Sequence, residues 1–482
     1  MSHLSRRRFL EDSMFAAALA AAAGSANQVL AAEASSSKSA NERLSVGVVG
    51  VNGRGASHIG AFMSSDKNTD TEITYICDAD EVVGQKRCEE IEKKQGRRPK
   101  YVKDMRELFN DKNVDIVSTA TPNHWHALCS IWAIQAGKDV YVEKPVSHNV
   151  SEGRRIVEAA RKYNKICQTG TQCRSAQGSI DAIEYIKKGG IGQVKIARGL
   201  CYKPRGSIGD KGAYSVPESV DYNLWAGPAP MSPVTRKKFH YDWHWIWDFG
   251  NGDLGNQGIH QMDVARWGLG VNELSKGVFS YGGRLGYTDA GETANTQVIV
   301  HDYGPQQLVF EVRGLKTDAL RGAKVGNIFH GTEGYVVLSS YNGGAAFDLE
   351  GKLVKEFKGG DDHFANFVKA VRSRKVSDLN ADILEGHLSS ALCHTGNISY
   401  RLGTPVSIAE ARDRLKGDDV KDTYGRFAQH LKDNNVEEST QIMYGRVLTM
   451  DPKTETFTDS EANAQLTRAY RAPFVVPAAG QV

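Results

Sequence analysis

Short apolar runs and mixed amphipathic stretches alternate along the first part of the chain, from residue 44 to residue 163. The apolar runs predict buried strands, and the longer mixed stretches between them predict helices. Strands that alternate with helices in this way indicate a parallel sheet with right-handed crossovers. The predicted strands are 44–50, 72–77, 114–119 and 139–142, and the predicted helices are 58–64, 82–94, 105–109, 125–135 and 151–163.

The pattern changes after about residue 165. A stretch rich in Tyr, Trp, Gly and Pro runs from 201 to 258, and helical periodicity returns at 363–374 and 384–400. The residues after about 400 are polar and weakly patterned, and we expect them to wrap the domains or a neighbouring subunit. Between these regions, alternating apolar and polar positions predict a mostly antiparallel sheet. Its predicted strands are 277–281, 294–301, 307–313 and 334–339.

The N-terminus has the pattern of a targeting peptide. Residues 5–10 read SRRRFL, an alanine-rich apolar run follows from 15 to 26, and small residues at 31–34 fit an A-x-A cleavage site. Residues 1–34 therefore resemble a twin-arginine signal peptide, although Glu11 departs from the usual basic residue, and 35–43 read as a linker. A frayed basic N-terminus is the alternative. We expect a periplasmic or otherwise exported protein without a stable membrane anchor, because the apolar run is too short to span a bilayer.

Charge and cysteine content narrow the class of partner. The 60 Lys and Arg residues nearly cancel the 57 Asp and Glu residues, and no long block of one sign occurs. This balance argues against nucleic acid and favours a small-molecule partner. The 7 cysteines form no CxxC pair, so we expect most of them to be buried; one disulfide is possible, and no metal site is expected.

A glycine-rich turn directly follows the first strand. Residues 50–55 read GVNGRG, and glycines there permit a tight turn and close approach to a pyrophosphate at a helix N-terminus. Asn52 stands where G-x-G-x-x-G has its second glycine, so an ordinary glycine-rich turn is the alternative. Asp78 ends the second strand, either as a turn former or as the acid that binds ribose hydroxyls and repels a 2′-phosphate. We predict NAD, with NADP less favoured, bound by Gly50, Asn52, Gly53, Arg54 and Gly55 together with Asp78.

The fold class that these features predict is α/β with two domains. An N-terminal Rossmann dinucleotide-binding domain is expected at 44–165. A C-terminal α+β domain with a large, mostly antiparallel open sheet is expected at 166–482. The chain of 482 residues supports this division, because single hydrophobic cores stop growing at roughly 250–300 residues.

Two further motifs indicate a family. Residues 119–126 read TATPNHWH after one strand, and residues 141–145 read YVEKP after the next. Together with the glycine turn and Asp78, they resemble the glucose–fructose oxidoreductase, inositol dehydrogenase and rhizopine catabolism (Gfo/Idh/MocA) family over about residues 44–410. The resemblance implies a catalytic Lys144 between nicotinamide and substrate, where burial would lower its pKa. The cofactor-binding residues implied in these motifs are Thr121, Pro122, Asn123, His126, Glu143 and Lys144.

The same resemblance implies a catalytic histidine in the second domain. Residues 250–263 read GNGDLGNQGIHQMD and are similar to the family's G-x-L-x-D-x-G-x-H-x-x-D stretch, which makes His260 the expected general acid/base. Many relatives carry an aspartate where this chain has Asn256. An amide can orient an imidazole or bind a substrate hydroxyl, but it cannot stabilise an imidazolium electrostatically. Asp263 either supplies the missing charge or caps the following helix.

Aromatic residues crowd the stretch before this motif. Sugar rings present apolar C–H faces between hydroxyl groups, so aromatic side chains beside fixed polar groups favour a carbohydrate-lined cleft, although core packing is the alternative for any single tryptophan. The crowded residues are Trp225, Tyr241, Trp243, His244, Trp245 and Trp247, with Asp242, Asp248 and Asp253 among them. The expected substrate-binding residues are Trp243, Trp245, Asp253, Asn256 and Asp263, and the family resemblance also implies Gln172 and Arg174. His363 and His394 are expected to be structural.

Export would restrict the chemistry. No NAD pool is expected outside the cytoplasm, so the cofactor should stay bound and be restored in each cycle. Coupled reduction of a second carbonyl, oxidation of a glycoside with hydride return, or a separate electron acceptor would each restore it. We predict an NAD-dependent oxidoreductase acting on a sugar, polyol or glycoside hydroxyl, as a homo-oligomer, either dimer or tetramer. The alternatives are an NAD-dependent glycoside hydrolase or lyase and a non-catalytic sugar-binding protein.

Overall fold

The first sheet is parallel throughout. Its strands follow the order β3-β2-β1-β4-β5-β6, which is the order of a Rossmann domain. Both of its faces are buried, which explains why the strands are nearly continuous apolar runs in the sequence. The strands are Leu44–Val49 (β1), Thr71–Cys77 (β2), Lys100–Val102 (β3), Ile116–Thr119 (β4), Asp139–Val142 (β5) and Cys167–Thr169 (β6).

A computed structural model of the chain describes residues 43–64, 70–360, 362–415 and 418–482. The predicted signal peptide, 1–34, lies outside the described residues, as does the predicted linker apart from Arg43. Residues 44–482 form one compact unit.

Five helices connect the strands of the first sheet. They are Gly55–Phe62 (α1), Glu81–Gln95 (α2), Met105–Phe109 (α3), Asn123–Gln135 (α4) and Val150–Lys162 (α5). The helix α1 begins three residues earlier than predicted, at the last glycine of the turn. The helix α4 begins immediately after Pro122, which has an extended backbone and no N–H to contribute to the helix.

The Rossmann sheet extends beyond the predicted domain limit at residue 165, because β6 pairs with β5. A helix from much later in the chain, His363–Ser373 (α10), also packs on this sheet. There the ring of Phe364 stacks on Tyr141 with the ring centroids 4.6 Å apart. The local periodicity predicts the helix α10 but gives no sign of the sheet against which it packs.

The second sheet has twelve strands and is mixed. The strands β7 and β10 pair in parallel, and the other pairs are antiparallel. Eight of these strands escape prediction, namely β7, β11 and β13 to β18. The strand β13 carries two glycines, and β14 is largely exposed. The strands are Val194–Tyr202 (β7), Gly277–Gly283 (β8), Thr296–Asp302 (β9), Gln307–Arg313 (β10), Val325–Gly331 (β11), Tyr335–Ser340 (β12), Gly343–Phe347 (β13), Leu353–Lys358 (β14), Thr404–Ser407 (β15), Gln441–Tyr444 (β16), Leu448–Asp451 (β17) and Thr456–Phe457 (β18).

Helices pack on both faces of the second sheet. The helices α9 and α11 share the larger apolar core with its strands, and α12 and α13 pack with other residues of β8, β9 and β10. The remaining α-helices among the described residues are Gln177–Lys187 (α6), Tyr222–Ala226 (α7), Gly252–Asn256 (α8), Gly258–Leu269 (α9), Ile383–Arg401 (α11), Ile408–Arg414 (α12), Asp418–Asp433 (α13) and Ser460–Ala464 (α14).

The C-terminal residues pack on the domains of their own chain, which is one of the two arrangements predicted for them. The strand β16 pairs with β8, and the ring of Phe474 packs edge-on against Trp125 of α4. The Lys162 ammonium donates to the carbonyl of Val482. The weakly patterned tail therefore ties the second sheet to the Rossmann domain.

One long connection, residues 203–250, crosses from the second sheet to the Rossmann domain, and we call it the strap. It carries α7 and a single 3-10 turn, and a small apolar core of its own holds it together. Its backbone meets the Rossmann domain where Glu81 N donates to Ser219 O and Asp221 N donates to Ala79 O. The strap thus passes beside the carboxyl end of β2.

All seven cysteines are buried and no disulfide joins them, which confirms the expectation of burial. Within the described ranges, no helix is both long and apolar enough to cross a membrane. Among the same residues, no group of three or more His, Cys, Asp or Glu side chains is arranged to hold a metal ion.

Candidate active site

The glycine turn lies at the carboxyl edge of the Rossmann sheet. Gly50 has a φ of +78°, and a Cβ atom on it would lie 2.7 Å from the amide nitrogen of Thr121. A Cβ atom on Gly55 would lie 2.0 Å from the carbonyl oxygen of Gly50. Gly53, in contrast, has open space around its Cα. The turn therefore needs glycine at positions 50 and 55 for the fold itself.

Asp78 follows β2 and faces the same edge. Its Oδ2 accepts a hydrogen bond from the amide of Val51 at 2.8 Å, and its Oδ1 accepts one from the amide of Asp80 at 3.0 Å. These bonds fix the carboxylate beside the glycine turn. Asp78 thus lies where the sequence predicts the acid that meets the ribose.

Glu143 is the most heavily bonded acid of this edge. Its Oε1 accepts from Arg54 Nε at 2.7 Å and lies 3.1 Å from Nε2 of His58. Burial alone would raise the pKa of Glu143, but the His58 hydrogen bond and the charges of Arg54 and Lys144 hold it well below its usual range. Glu143 is therefore a fixed carboxylate that positions Arg54, and it is poorly suited to accept a proton.

Lys144 points across the cleft toward the second domain. Its Nζ donates to the backbone carbonyl of Asn256 at 2.8 Å. In the described part of the chain Nζ has no carboxylate within ion-pair distance, and burial lowers the pKa of the ammonium, with a smaller opposing effect from Glu143. A buried lysine with a lowered pKa gives up its proton more readily than an exposed one.

His126 joins the two motifs that carry the family resemblance. Its Nε2 lies 2.8 Å from the carbonyl of Thr121, and its Nδ1 lies 2.5 Å from the carbonyl of Pro145. Burial lowers the pKa of the imidazole, so the neutral ring donates to one carbonyl at a time. His126 therefore positions the E-K-P loop against the start of α4. The Asn123 amide is committed in a similar way, because its Nδ2 donates to Asn251 Oδ1 at 3.1 Å.

These groups line one cleft with a volume of about 340 Å³. Most of the predicted site residues lie on its wall, and they are Gly50, Asn52, Gly53, Arg54, Asp78, Thr121, Pro122, Asn123, His126, Glu143, Lys144, Trp243 and Asn256. Trp225, Tyr241 and His244 of the predicted aromatic crowd also line the cleft. Several lining residues have no predicted role, namely Ala79, Lys103, Asp104, Met105, Leu224 and His240. Lys103 to Met105 follow β3, a strand too short to show its own periodicity.

The strap forms the wall opposite the glycine turn. Trp243 and His244 stack with ring centroids 3.7 Å apart, and Trp243 Nε1 donates to the carbonyl of His240 at 2.9 Å. Nε2 of His240 in turn lies 2.8 Å from Oδ2 of Asp80 in the Rossmann domain. Trp225 lines the cleft with part of its ring and packs otherwise against Phe239 and Phe249. The aromatic crowd thus serves both core packing and the cleft wall.

Two acids that we predict as substrate ligands form buried ion pairs away from the cleft wall. Asp253 accepts from Arg205 at 2.8 Å, and Asp263 accepts from Arg174 at 2.8 Å and from the Ser389 hydroxyl at 2.7 Å. Arg174 also pairs with Glu385. The structure thus corrects the expectation that Asp253, Asp263 and Arg174 face substrate, because each charge is neutralised inside the protein.

His260 lies in α9, buried and outside the cleft wall. Its Nδ1 has no hydrogen-bond partner among the described residues, and its ring contacts Tyr341 with centroids 5.0 Å apart. Burial, and then the charge of Lys144, hold the pKa of the imidazole well below its usual range. Both expectations for Asp263 are wrong, since it pairs with Arg174 and lies inside α9 and not at its start. Asp263 thus does not replace the acid that is absent at Asn256.

The last two predicted ligands also lie off the cleft wall. Gln172 lies in a 3-10 turn, and its buried Oε1 has no hydrogen-bond partner among the residues that the structure describes. Cζ of Arg205 lies 5.5 Å from the ring centroid of Trp245. His363 and His394 are both buried, and Nε2 of His394 lies 3.2 Å from the Ser147 hydroxyl. These two histidines have packing surroundings, in line with the prediction.

Two family models match the chain. One is described as an oxidoreductase family, NAD-binding Rossmann fold, and covers residues 44–171. The other is described as an oxidoreductase family, C-terminal alpha/beta domain, and covers residues 209–425.

Two known proteins with similar sequences act on carbohydrates by name. Levoglucosan dehydrogenase of Pseudarthrobacter phenanthrenivorans is 27% identical over 253 residues, or 49% of this chain and 58% of that protein. Alpha-N-acetylgalactosaminidase of Shewanella oneidensis is 29% identical over 157 residues, or 32% of this chain and 34% of that protein. The matches therefore span only part of each relative.

Solved structures share the fold. The WlbA dehydrogenase of Chromobacterium violaceum, in complex with NADH and UDP-GlcNAcA, matches with a TM-score of 0.57 and 17% identity over 75% of this chain and 95% of that one. The WlbA dehydrogenase of Bordetella pertussis, with the same ligands, matches with a TM-score of 0.54 and 20% identity over 73% and 94%. The chain belongs to the Gfo/Idh/MocA oxidoreductase family, with an NAD-binding Rossmann domain and a C-terminal alpha/beta domain.

Proposed function

We propose that this protein is an NAD-dependent oxidoreductase that acts on a CH–OH group of a sugar, polyol or glycoside. The observation that carries the proposal is the single cleft that joins the glycine turn, Lys144 and the stacked Trp243 and His244. An apolar ring face beside polar atoms suits a ring that carries both C–H faces and hydroxyl groups. The names of the similar dehydrogenase and glycosidase support the same substrate class.

The cleft fits a dinucleotide. Gly50 lets the backbone pass close to Thr121, and the N-terminus of α1 opens toward the space where a pyrophosphate would bind. NAD bound there would supply a hydride acceptor. Asp78 favours NAD over NADP, because a carboxylate fixed at the ribose end would repel a 2′-phosphate.

Lys144 is the proposed proton-handling residue. Its Nζ donates to a neutral carbonyl and has a lowered pKa, so it can exchange this bond for one to the substrate oxygen. Glu143 remains ionised beside it and keeps Arg54 in place. His260 would have to turn toward the cleft, or the cleft would have to reach it, before it could act as the acid/base.

The strap supports a resident cofactor. It touches the Rossmann domain in two places, through His240 and Asp80 and through Trp225 and His124. Release of a bound dinucleotide would require these contacts to open. Retention in this way fits export of the folded protein by the twin-arginine pathway, which is also part of the proposal, since an enzyme outside the cytoplasm would have to bring its nucleotide with it.

A second candidate function is an NAD-dependent glycoside hydrolase or lyase without net redox change. The similarity to alpha-N-acetylgalactosaminidase over 157 residues favours it, and such enzymes need not have the usual pair of catalytic carboxylates. The ion pairs of Asp253 and Asp263 agree with this, because neither acid is available for the two-carboxylate mechanism.

Mass spectrometry of the as-isolated protein tests the proposal. We expect released NAD in near-stoichiometric amount, and oxidised product when levoglucosan, free sugars and aryl glycosides are supplied in turn. Hydrolysis of an aryl glycoside with no net NADH would establish the second function instead. Binding of sugar without any product would indicate the non-catalytic alternative, and absence of nucleotide would refute the resident cofactor.

A homo-oligomer, dimer or tetramer, is also proposed. The helices α12 and α13 already cover the part of the second sheet formed by β8 to β10. Contact between subunits through this sheet would therefore use the strands β11 to β14. Light scattering after size-exclusion chromatography measures the oligomeric state, and a monomer would contradict this expectation.

A further inference from the structure

His244 lies on the strap wall of the cleft and takes no part in the chemistry described above. Its ring stacks on Trp243 with an interplanar angle of 20°, so the position of the ring plane is set by its neighbour. The backbone of His244 is also closely packed, because a Cβ atom on Gly250 would lie 2.4 Å from the carbonyl oxygen of His244. Both the ring and the backbone of His244 thus have close neighbours in the strap.

The tautomer of His244 is also determined. Its Nδ1 lies 2.6 Å from the carbonyl oxygen of Tyr241. A carbonyl only accepts hydrogen bonds, so Nδ1 must carry the hydrogen, and in the neutral ring Nε2 then has a lone pair and no hydrogen. Within the part of the chain that the structure describes, no protein group donates to Nε2. This atom is an unused acceptor on the wall of a cleft.

The pKa of His244 decides whether Nε2 is suited to take up a proton or to accept a hydrogen bond. Burial lowers the pKa of His244 to about 3, with a further contribution from the positive charge of Lys144. A base with so low a pKa takes protons poorly at neutral pH, because efficient proton transfer needs a pKa near the working pH. A neutral Nε2 suits the acceptance of a hydrogen bond from an uncharged hydroxyl group.

We infer that Nε2 of His244 binds the substrate by accepting a hydrogen bond from one of its hydroxyl groups, and that the Trp243–His244 stack sets this orientation. The inference rests on the proposed function, since it needs a hydroxyl-bearing substrate in the cleft. It adds a substrate-binding residue on the strap that differs from Lys144, which reaches the cleft from the Rossmann domain.

Two variants separate the acceptor from the flat ring. His244→Phe keeps a ring for the stack on Trp243 but removes the lone pair, and His244→Gln returns an acceptor oxygen at a similar reach. For a sugar or glycoside that the wild type converts in the product panel, we expect His244→Phe to raise KM by about 3- to 10-fold with little change in kcat. His244→Gln should recover part of the loss, and NAD content and thermal stability should stay close to wild type.

Several outcomes would overturn the inference. If the wild type converts a sugar or glycoside and His244→Phe has the same KM, then His244 does not bind the substrate, and the proposed function is unaffected. Loss of bound NAD in His244→Phe would show that His244 contributes to binding the cofactor and not the substrate. A ¹⁵N spectrum of the histidine rings that shows hydrogen on Nε2 at pH 7 would refute the acceptor. Failure of the wild type to convert any sugar or glycoside would refute the proposed function and this inference with it.

Discussion

The two walls of the cleft are built in different ways. The Rossmann wall consists of residues at the ends of parallel strands, so Gly50, Asp78 and Lys144 meet because the strands end at one edge. The strap wall consists of residues in a long connection with little regular structure, and Trp243 and His244 are placed by ring stacking and by a small apolar core. One wall follows from topology and the other from packing.

The walls also differ in how their acids are used. On the Rossmann side, Glu143 is ionised and organises Arg54, while Lys144 beside it faces a neutral carbonyl. On the side of the second domain, Asp253 and Asp263 lie off the cleft wall and are each paired with an arginine, so neither acid is available to His244 or His260. We therefore propose that the proton chemistry is concentrated on the Rossmann wall and that the other wall binds and orients the substrate.

Replacement of Lys144 tests this division with the largest expected effect. Lys144→Ala should lower kcat by about 100- to 10,000-fold, because it removes the proton-handling group. NAD content, measured by mass spectrometry, should remain close to wild type, since the glycine turn and Asp78 are untouched. A kcat close to wild type in Lys144→Ala would indicate that the proton-handling group lies on the strap wall.

Replacement of Asp263, in the second domain, should lower the folding stability of the protein. Asp263→Asn leaves the Arg174 guanidinium buried without its main partner, and removal of one member of a buried ion pair costs about 3 kcal/mol or more. We expect a clear fall in the denaturant midpoint. The exposed Asp181→Asn is the matched control and should change stability by less than about 0.5 kcal/mol. A normal midpoint with a raised KM would restore the substrate-binding role predicted for Asp263.

Two glycines in the same turn differ in whether the fold has room for a side chain at their position. Gly50→Ala puts a Cβ atom at positive φ and 2.7 Å from a backbone nitrogen, which should cost about 1–3 kcal/mol of stability. Gly53→Ala meets nothing within 4 Å and should be near neutral in nucleotide-free protein. Thermal unfolding of both variants measures this difference. Equal stabilities would show that the turn does not depend on Gly50.

His124 joins the two walls and gives a pH-dependent effect. Its Nε2 lies 2.9 Å from the carbonyl of Trp225 in the strap, and burial lowers its pKa to about 3. Below pH 6.5 the unfolded chain binds a proton that the folded ring refuses, so stability falls with falling pH. Between pH 7 and pH 5, wild type should lose about 2 kcal/mol more than His124→Gln. Parallel stability curves would contradict this.

Most of the Rossmann domain could be predicted from the sequence. Its buried strands are apolar runs bounded by turns, and the motifs at 50–55, 119–126 and 141–145 lie at strand ends as expected. The exceptions are β3, with three residues, and β6, which falls beyond the predicted boundary. Both are too short for a periodic pattern to develop. In the second sheet, β13 and β14 escape prediction because glycines and exposed polar positions break the alternation.

The candidate site divides in the same way. The sequence alone determined the Rossmann wall, because a strand end, a glycine turn and an E-K-P motif are local features whose position in the fold follows from the parallel topology. The tertiary structure alone decided which acids are free, since Arg205 and Arg174 lie 48 and 89 residues before the acids they neutralise. It also decided that His244 faces the cleft while His260 does not. Ion pairs and ring stacks join distant parts of the chain, and no local pattern records which partner each side chain meets.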